Sequence, residues 1–336
     1  MERKSGHICA LGNFQSRPWK HAYYALWEEQ ILNSFAIGID IGGTKIAAGF
    51  VDEQGKVLAG TSIKTDLSVS PSEMLDRVTA EIRRLAADNG LDLSQATGVG
   101  VGAPGPLNTV TGRLTCPPNL KSWWDYPVVD ELRSRLQLPV KMENDATAAT
   151  LAEKWVGAAQ DSDNFVFITV STGIGAGIYL HGKLITGASG NAGDAGFMIV
   201  HPTGDVLNNE PSGYWEHIAS GTAIARQASE LLGREVTSKE AFQLAADGHP
   251  AISELVQRVY TYIGMGCVSL INLLDPAKIV IGGGVSQVGE PLFSAVRDYV
   301  SKHALNPGGR ETIIVPAQLQ QDAGLIGAAA LVHCAY

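Results

Sequence analysis

Charge is scarce in this chain. Only 18% of its 336 residues are Asp, Glu, Lys or Arg, and 25 basic residues face 34 acidic ones, for a formal net charge of −9. No lysine or arginine cluster is long enough to track a phosphate backbone, so no nucleic acid is expected as a partner, and any anion must be held locally. Cysteine is scarce too: Cys9, Cys116, Cys267 and Cys334 stand far apart with no CxxC pair. That spacing argues against a disulfide framework and a thiolate zinc site, and it fits a reducing cytoplasm. No apolar run approaches the roughly 18 residues that span a bilayer, and the first residues lack the basic-then-apolar layout of a signal peptide, so neither a membrane nor an exported protein is expected.

What the chain has in abundance is glycine, 38 residues of it, scattered without a period in a sequence that is 45% hydrophobic. This describes a soluble α/β protein, and a length about twice that of a usual domain predicts two lobes with a cleft between them. Residues 1–34 form an N-terminal extension in which Ser16 and Pro18 open a short helix with Trp19, Tyr23, Leu26, Trp27 and Ile31 on one face. A docked extension, or a start set too far upstream, fits a segment of only about four turns better than a membrane helix does.

From Phe35 the pattern becomes regular. Ile37-Gly38-Ile39-Asp40-Ile41 alternates as a strand, Gly42-Gly43-Thr44 turns, and Ile46–Val51 returns. Apolar residues Met74, Leu75, Val78, Ile82 and Leu85 predict a helix over 72–90, and 98–102 reads as a short buried strand. Phe165–Val170, Ser171–Gly177 and Ile178–Leu180 repeat the first strand, glycine turn and strand, which predicts an internal duplication and two similar lobes. Helices are expected near 216–233 and 251–274, strands at 278–281 and 312–315, and a closing helix over 322–332. The predicted division is a small lobe over 35–145, completed by a C-terminal helix within 320–336, and a large lobe over 146–319.

Asp40-Ile-Gly-Gly-Thr-Lys45 puts a carboxylate at a strand end before a turn whose backbone N–H groups can face an anion, with Asp40 placed to hold Mg²⁺ through water. Ser171-Thr-Gly-Ile-Gly-Ala-Gly177 offers a second such cradle, and the two together can grip one triphosphate. Neither ends in the Gly-Lys-Ser/Thr of a Walker loop, and a strand rather than a helix follows the glycines, so the dinucleotide fingerprint is excluded as well. Glu143-Asn144-Asp145 falls at a strand-to-helix junction, where a carboxylate can take the proton of an attacking hydroxyl. The same residues also suit an ordinary aspartate helix cap.

With these motifs in place the chain resembles the ROK family of bacterial sugar kinases and repressors, within the actin-like ATPase superfamily, over about residues 36–333. The strings that carry the resemblance are DIGGTK at 40–45, GVGVGAPGP at 98–106, PPNL at 117–120, ENDATAA at 143–149, STGIGAG at 171–177, GNAGDAG at 190–196, WEHIASGTA at 215–223 and LDPAKIVIGGG at 274–284. The resemblance implies two RNase H-like lobes closing on ATP and a sugar, with Asp145 as catalytic base. It implies that Asn119, Asn144, Asp194 and Glu216 hold sugar hydroxyls. Asp40, Gly42, Gly43, Thr44, Lys45, Ser171, Thr172, Gly173 and Gly175 would hold Mg-ATP, with Gly283 and Gly284 near the adenosine. A homodimer is implied on the same ground.

The chain departs from the family where a histidine and a CxCGxxGC run supply four zinc ligands. Phe197, Leu207, Asn209 and Tyr214 stand there instead, so no zinc site is expected. If 196–201 is a strand, His201 lies about 13 Å from Phe197 and cannot replace the lost ligand; Tyr214 and Trp215 are expected to pack in the metal's place. Phe197 also removes a polar contact to the sugar, so glucose is the default acceptor, with N-acetylmannosamine, other hexoses or a cyclitol open, and polyphosphate remains open as donor. The complete set of Asp40, two glycine turns, Asn144 and Asp145 favours a kinase over a non-catalytic sugar or nucleotide sensor. A repressor is disfavoured because 34 residues are too few for a winged helix-turn-helix before the first strand.

Overall fold

The computed structural model describes residues 34–201, 206, 207, 210, 211 and 213–335; the helix expected within residues 16–31 lies outside them. The alternating stretch after Ser34 forms β1 (Phe35–Ile41), β2 (Lys45–Asp52) and β3 (Val57–Lys64). Helix α1 (Pro71–Asp88) starts where Ser70 Oγ accepts from Glu73 N and proline fills the first position, and it buries Met74, Leu75, Val78, Ile82 and Leu85. Strand β4 (Ala96–Ala103), helix α2 (Val128–Leu136) and strand β5 (Val140–Asn144) follow. The first sheet runs in the order β3-β2-β1-β4-β5, with its first three strands antiparallel and β1, β4 and β5 parallel.

Helix α3 (Asp145–Val156) leads to a second sheet that begins with β6 (Phe165–Val170), β7 (Ile174–Leu180) and β8 (Lys183–Ile185). Helices α4 (Trp215–Ala219), α5 (Gly221–Leu232), α6 (Ser238–Ala246) and α7 (Pro250–Leu274) come next, then β9 (Lys278–Gly282), α8 (Glu290–His303), β10 (Ile313–Pro316) and α9 (Ala323–His333). The order β8-β7-β6-β9-β10 repeats that of the first sheet, with the same strand directions. The register repeats as well: Asp40 pairs with Gly102 of β4, and Thr169 pairs with Gly282 of β9. The duplication legible in the two glycine hairpins therefore extends to whole sheets, the actin-like arrangement.

Two helices without room for side chains between them and their neighbours fill the middle. A methyl group on Gly100 would lie 1.7 Å from Ala328 O, and one on Gly38 2.4 Å from Leu325 O, so α9 rests directly on β1 and β4. On the other sheet, a methyl on Gly177 would meet Thr150 Oγ1 at 1.8 Å, so α3 rests on β7. The helices also touch each other, with Gly327 against Ala148 O. A helix apolar on all sides, as α9 is from Leu325 to Leu331, suits such a buried position. Glu153 of α3, wholly buried, accepts hydrogen bonds from the backbone N–H of Ala158 (2.6 Å), Gln318 (3.2 Å) and Leu319 (3.0 Å). It thereby ties α3 to the segment that carries the chain from β10 into α9.

Two expectations are corrected. The helix predicted over 216–233 is broken at Ser220, whose extended backbone lets its Oγ cap α5 through Ala223 N at 3.1 Å. Residues 196–201 do not form a strand: a single 3-10 turn covers Ala195–Phe197, and only an isolated bridge, Ile199 to Tyr214, follows. The chain is bent there because Gly193 has φ +102° and Gly196 sits against Ile174 O, where a side chain would be 2.3 Å away. The strand spacing used to separate His201 from Phe197 therefore does not hold.

Candidate active site

The strand ends of both sheets and the first turns of α3 and α9 converge on a group of carboxylates. Asp40 closes β1, and its side chain lies against Gly324 of α9, where a methyl would be 2.3 Å from Asp40 Oδ2. A methyl on Gly102 would sit 3.6 Å from Asp40 Oδ1 and 3.8 Å from Asp145 Cα, which places the two aspartates across one bare glycine. Both α3 and α9 begin here, so their N-terminal dipoles face the carboxylates and any phosphate brought to them.

The alternative reading of Asp145 as a helix cap is resolved in the structure. Asn144 is the cap, its Oδ1 accepting from Ala146 N at 3.0 Å and Thr147 N at 3.4 Å. Asp145 is the first residue of the helix, with Oδ1 accepting from Ala146 N at 2.7 Å. The residue as a whole is exposed, yet protein atoms crowd its carboxyl. That crowding, followed by the charges of Asp40 and Asp194, pushes its carboxyl up to about 7. Burial also raises Asp40, with Lys45 opposing it, and partial burial raises Asp194. Next to this group, Glu143 is pushed up to about 7 by its own burial.

The first glycine turn, Gly42 to Lys45, is closed by Gly42 N donating to Lys45 O at 2.9 Å and held by Thr65 Oγ1 on Gly42 O at 2.7 Å. Asn119 lies beside it, its Cβ 3.2 Å from where a methyl on Gly43 would be. In the second turn Ser171 and Thr172 are exposed, and Ser171 N donates to Gly173 O at 2.8 Å. Gly283, with φ +84°, abuts Val170 O at the end of β6, so the turn after β9 lies next to this cradle while Gly284 is exposed. Glu216 reaches the cradle from α4, with Oε2 accepting from Ile174 N at 2.7 Å. Asn144 Nδ2, Asn191 Oδ1 and Asp194 Oδ1 surround Gly105, all within 3.8 Å of a methyl built there.

Asn191 was not singled out in the sequence although it lies inside the 190–196 string. Its side chain pairs with both backbone groups of Leu107, accepting from the N–H at 3.0 Å and donating to the carbonyl at 2.8 Å. The loop that follows β8 is thus clasped to a turn that follows β4, and the only hint in the sequence is an amide among glycines.

Where zinc ligands are absent, Phe197 and Tyr214 meet edge to face with ring centroids 5.4 Å apart. Trp215 does not join them; it is fully buried against α7, where Gly266 leaves space for its indole. Positions 208 and 209 lie outside the described residues. His201 contacts the ring of Tyr262 at 5.7 Å. Among the described residues no group of three or more His, Cys, Asp or Glu is close enough to hold a metal by itself. Asp40 nevertheless offers hard oxygen donors in a partly buried position where a positive charge would relieve its raised pKa, so it fits Mg²⁺ held mainly by water and phosphate.

The sequence pattern that defines the ROK family matches residues 36–335. A glucokinase from Thermotoga maritima is 32% identical over 310 residues, which cover 88% of this chain and 96% of that protein. A beta-glucoside kinase from Listeria monocytogenes is 36% identical over 294 residues, 86% of this chain and 94% of that protein. The crystal structure of a ROK family glucokinase from Streptomyces griseus in complex with glucose and AMPPNP superimposes with a TM-score of 0.76 at 33% identity, covering 89% of this chain and 99% of that one.

Proposed function

This chain belongs to the ROK family and is an ATP-dependent sugar kinase, in which we propose that Asp145 is the general base. The observation that carries this assignment is the meeting of Asp145 and Asp40 across Gly102, at the mouths of two glycine turns. An attacking hydroxyl needs a base whose pKa lies near neutrality, and burial first, then the charges of Asp40 and Asp194, raise Asp145 into that range. With Oδ1 occupied by Ala146 N, Oδ2 is left to take the hydroxyl proton as the new P–O bond forms.

We assign the remaining roles on the family resemblance, which their positions support. Asn144 spends its carbonyl on the helix and keeps its Nδ2 donors for the sugar, beside Asp194. Asn119 and Glu216 complete the sugar contacts. The turns 42–45 and 171–175 hold the phosphates from two sides, and Gly283 and Gly284 pass close to the adenosine. Asp40 would hold Mg²⁺, which would supply neutralisation of the phosphate charge. Transfer in such a site rests on positioning and electrostatics more than on covalent chemistry. The reading includes action in the cytoplasm, as a homodimer, on a hexose-type acceptor. Phe197, exposed and unable to hydrogen-bond, offers the sugar no polar contact, which leaves glucose as the default acceptor with N-acetylmannosamine, other hexoses or a cyclitol as the alternatives.

The test is an ADP-release assay with Mg-ATP against hexoses, amino sugars, N-acetyl sugars, β-glucosides and inositols, beside Asp145→Asn. We expect one preferred acceptor, with turnover falling by about 10²–10⁴-fold in the variant while ATP binding changes little. Turnover unchanged in Asp145→Asn would remove the base assignment. Silence across the panel with ATP still bound would favour a sensor.

A further inference from the structure

The second glycine turn does not stand alone. Its residues 171–173 are closed internally by Ser171 N on Gly173 O, and two outside bonds fasten it: Gly221 N donates to Ser171 O at 2.7 Å, and Ile174 N donates to Glu216 Oε2 at 2.7 Å. Both fasteners come from the α4–α5 pair. The carboxylate fits closely, since a methyl on Gly173 would lie 2.3 Å from Oε2 and one on Gly196 3.2 Å from it. Glycine at 173 thus makes room for Glu216 as well as for phosphate.

We propose that Glu216 is a positioning residue for the phosphate cradle as well as a sugar ligand, so that one carboxylate couples the acceptor site to the donor site. The inference rests on the kinase reading and deepens it. Oε2 is committed to Ile174 N, which sets the height of the cradle backbone; Oε1 is the oxygen that a sugar hydroxyl can reach. A sugar that fixes Oε1 also fixes the carboxylate plane, and with it the cradle. Conversely, a cradle already ordered by triphosphate presents Oε1 in place. The coupling is reciprocal, as linkage between two binding equilibria requires.

The experiment measures binding of Mg-AMPPNP by calorimetry, without sugar, to the full chain and to Glu216→Ala, Glu216→Asp and Glu216→Gln, with thermal unfolding as a check on folding. Glu216→Asp keeps the charge but is one methylene too short to reach Ile174 N, and it carries the test if the alanine variant does not fold. Glutamine keeps an acceptor for Ile174 N. A charge-assisted hydrogen bond lost from the cradle predicts nucleotide affinity about tenfold weaker in the alanine and aspartate variants. In Glu216→Gln affinity should stay within about twofold of wild type while sugar affinity falls. Nucleotide affinity at wild-type level in both alanine and aspartate variants, with wild type itself active, overturns this inference and leaves the kinase reading standing. Failure of the wild type to bind Mg-AMPPNP overturns both.

Discussion

The two sheets share order, strand direction and register, yet they furnish their glycine turns differently. In the first, the carboxylate is built into the strand: Asp40 stands opposite Gly102, two residues before the turn glycines. In the second, the equivalent position holds Thr169, opposite Gly282, and the carboxylate arrives from outside as Glu216 on α4. Position 143, beside Gly102, is a buried glutamate, while Ala317 occupies the matching place beside Gly282. One scaffold has therefore been charged asymmetrically. The first half gathers Asp40, Glu143 and Asp145, the residues suited to a metal and a proton; the second has no carboxylate on its strand and takes one only from α4, where Glu216 is spent on the backbone N–H of Ile174.

Exchange of functional groups at equivalent positions should expose this asymmetry most sharply. Asp40→Asn is expected to lower kcat/KM by about 10²–10³-fold, the loss that accompanies removal of one preorganised electrostatic contact, whereas Thr169→Ala should cost less than about threefold, within the effect of a small side chain that touches no reacting group. Steady-state kinetics of the two variants side by side decide it. Comparable losses would mean that the two halves share the charge work equally.

Much of this was legible in the sequence, and the reasons differ by element. The hairpins and Asp40 were legible because strand alternation and glycine turns are local patterns. Asn144 and Asp145 could be placed at a strand-to-helix junction, but which of them caps the helix depends on side-chain rotation, which no spacing reveals. Asn191 and Glu153 were passed over because the partners that give them their roles are backbone groups 84 and 165 or 166 residues away in the chain. The break at Ser220 was missed because serine is tolerated inside helices and only the tertiary fit of α4 beneath the second cradle shows that it acts as a cap. The role of Gly100, Gly177 and Gly327 as bare contact points between helix and sheet likewise needs the packed structure.

Glu143 gives a stability contrast with Ala317. Its carboxyl, pushed up to about 7 in the fold, returns to an ordinary value when the chain unfolds. A raised folded pKa contributes stability that is fully present below the unfolded pKa and is lost as pH rises through about 7. Glu143→Gln abolishes this dependence. Urea denaturation at pH 5 and pH 8 should therefore show the variant gaining on wild type at the higher pH, by up to about 3 kcal/mol. A difference between the two proteins that is the same at both pH values would show that the buried carboxyl is relieved in some other way.

The smallest effect concerns the charge that the second half contributes to the first. Asp194 raises Asp145, after burial and Asp40. A base works only when deprotonated, so activity at saturating sugar should fall as pH drops through a value near 7 in the wild type. Asp194→Asn removes one negative neighbour and should move that acid limb to lower pH, by less than about one unit given that Asp194 is the weaker of the two charges acting on the base. KM for sugar should rise at the same time, because a hydroxyl contact is lost. The two readouts separate the roles: a higher KM with an unmoved limb would leave Asp194 as a sugar ligand only. A limb displaced upward would contradict the sign of the interaction, and with it the view that the second half helps to set the proton affinity of Asp145.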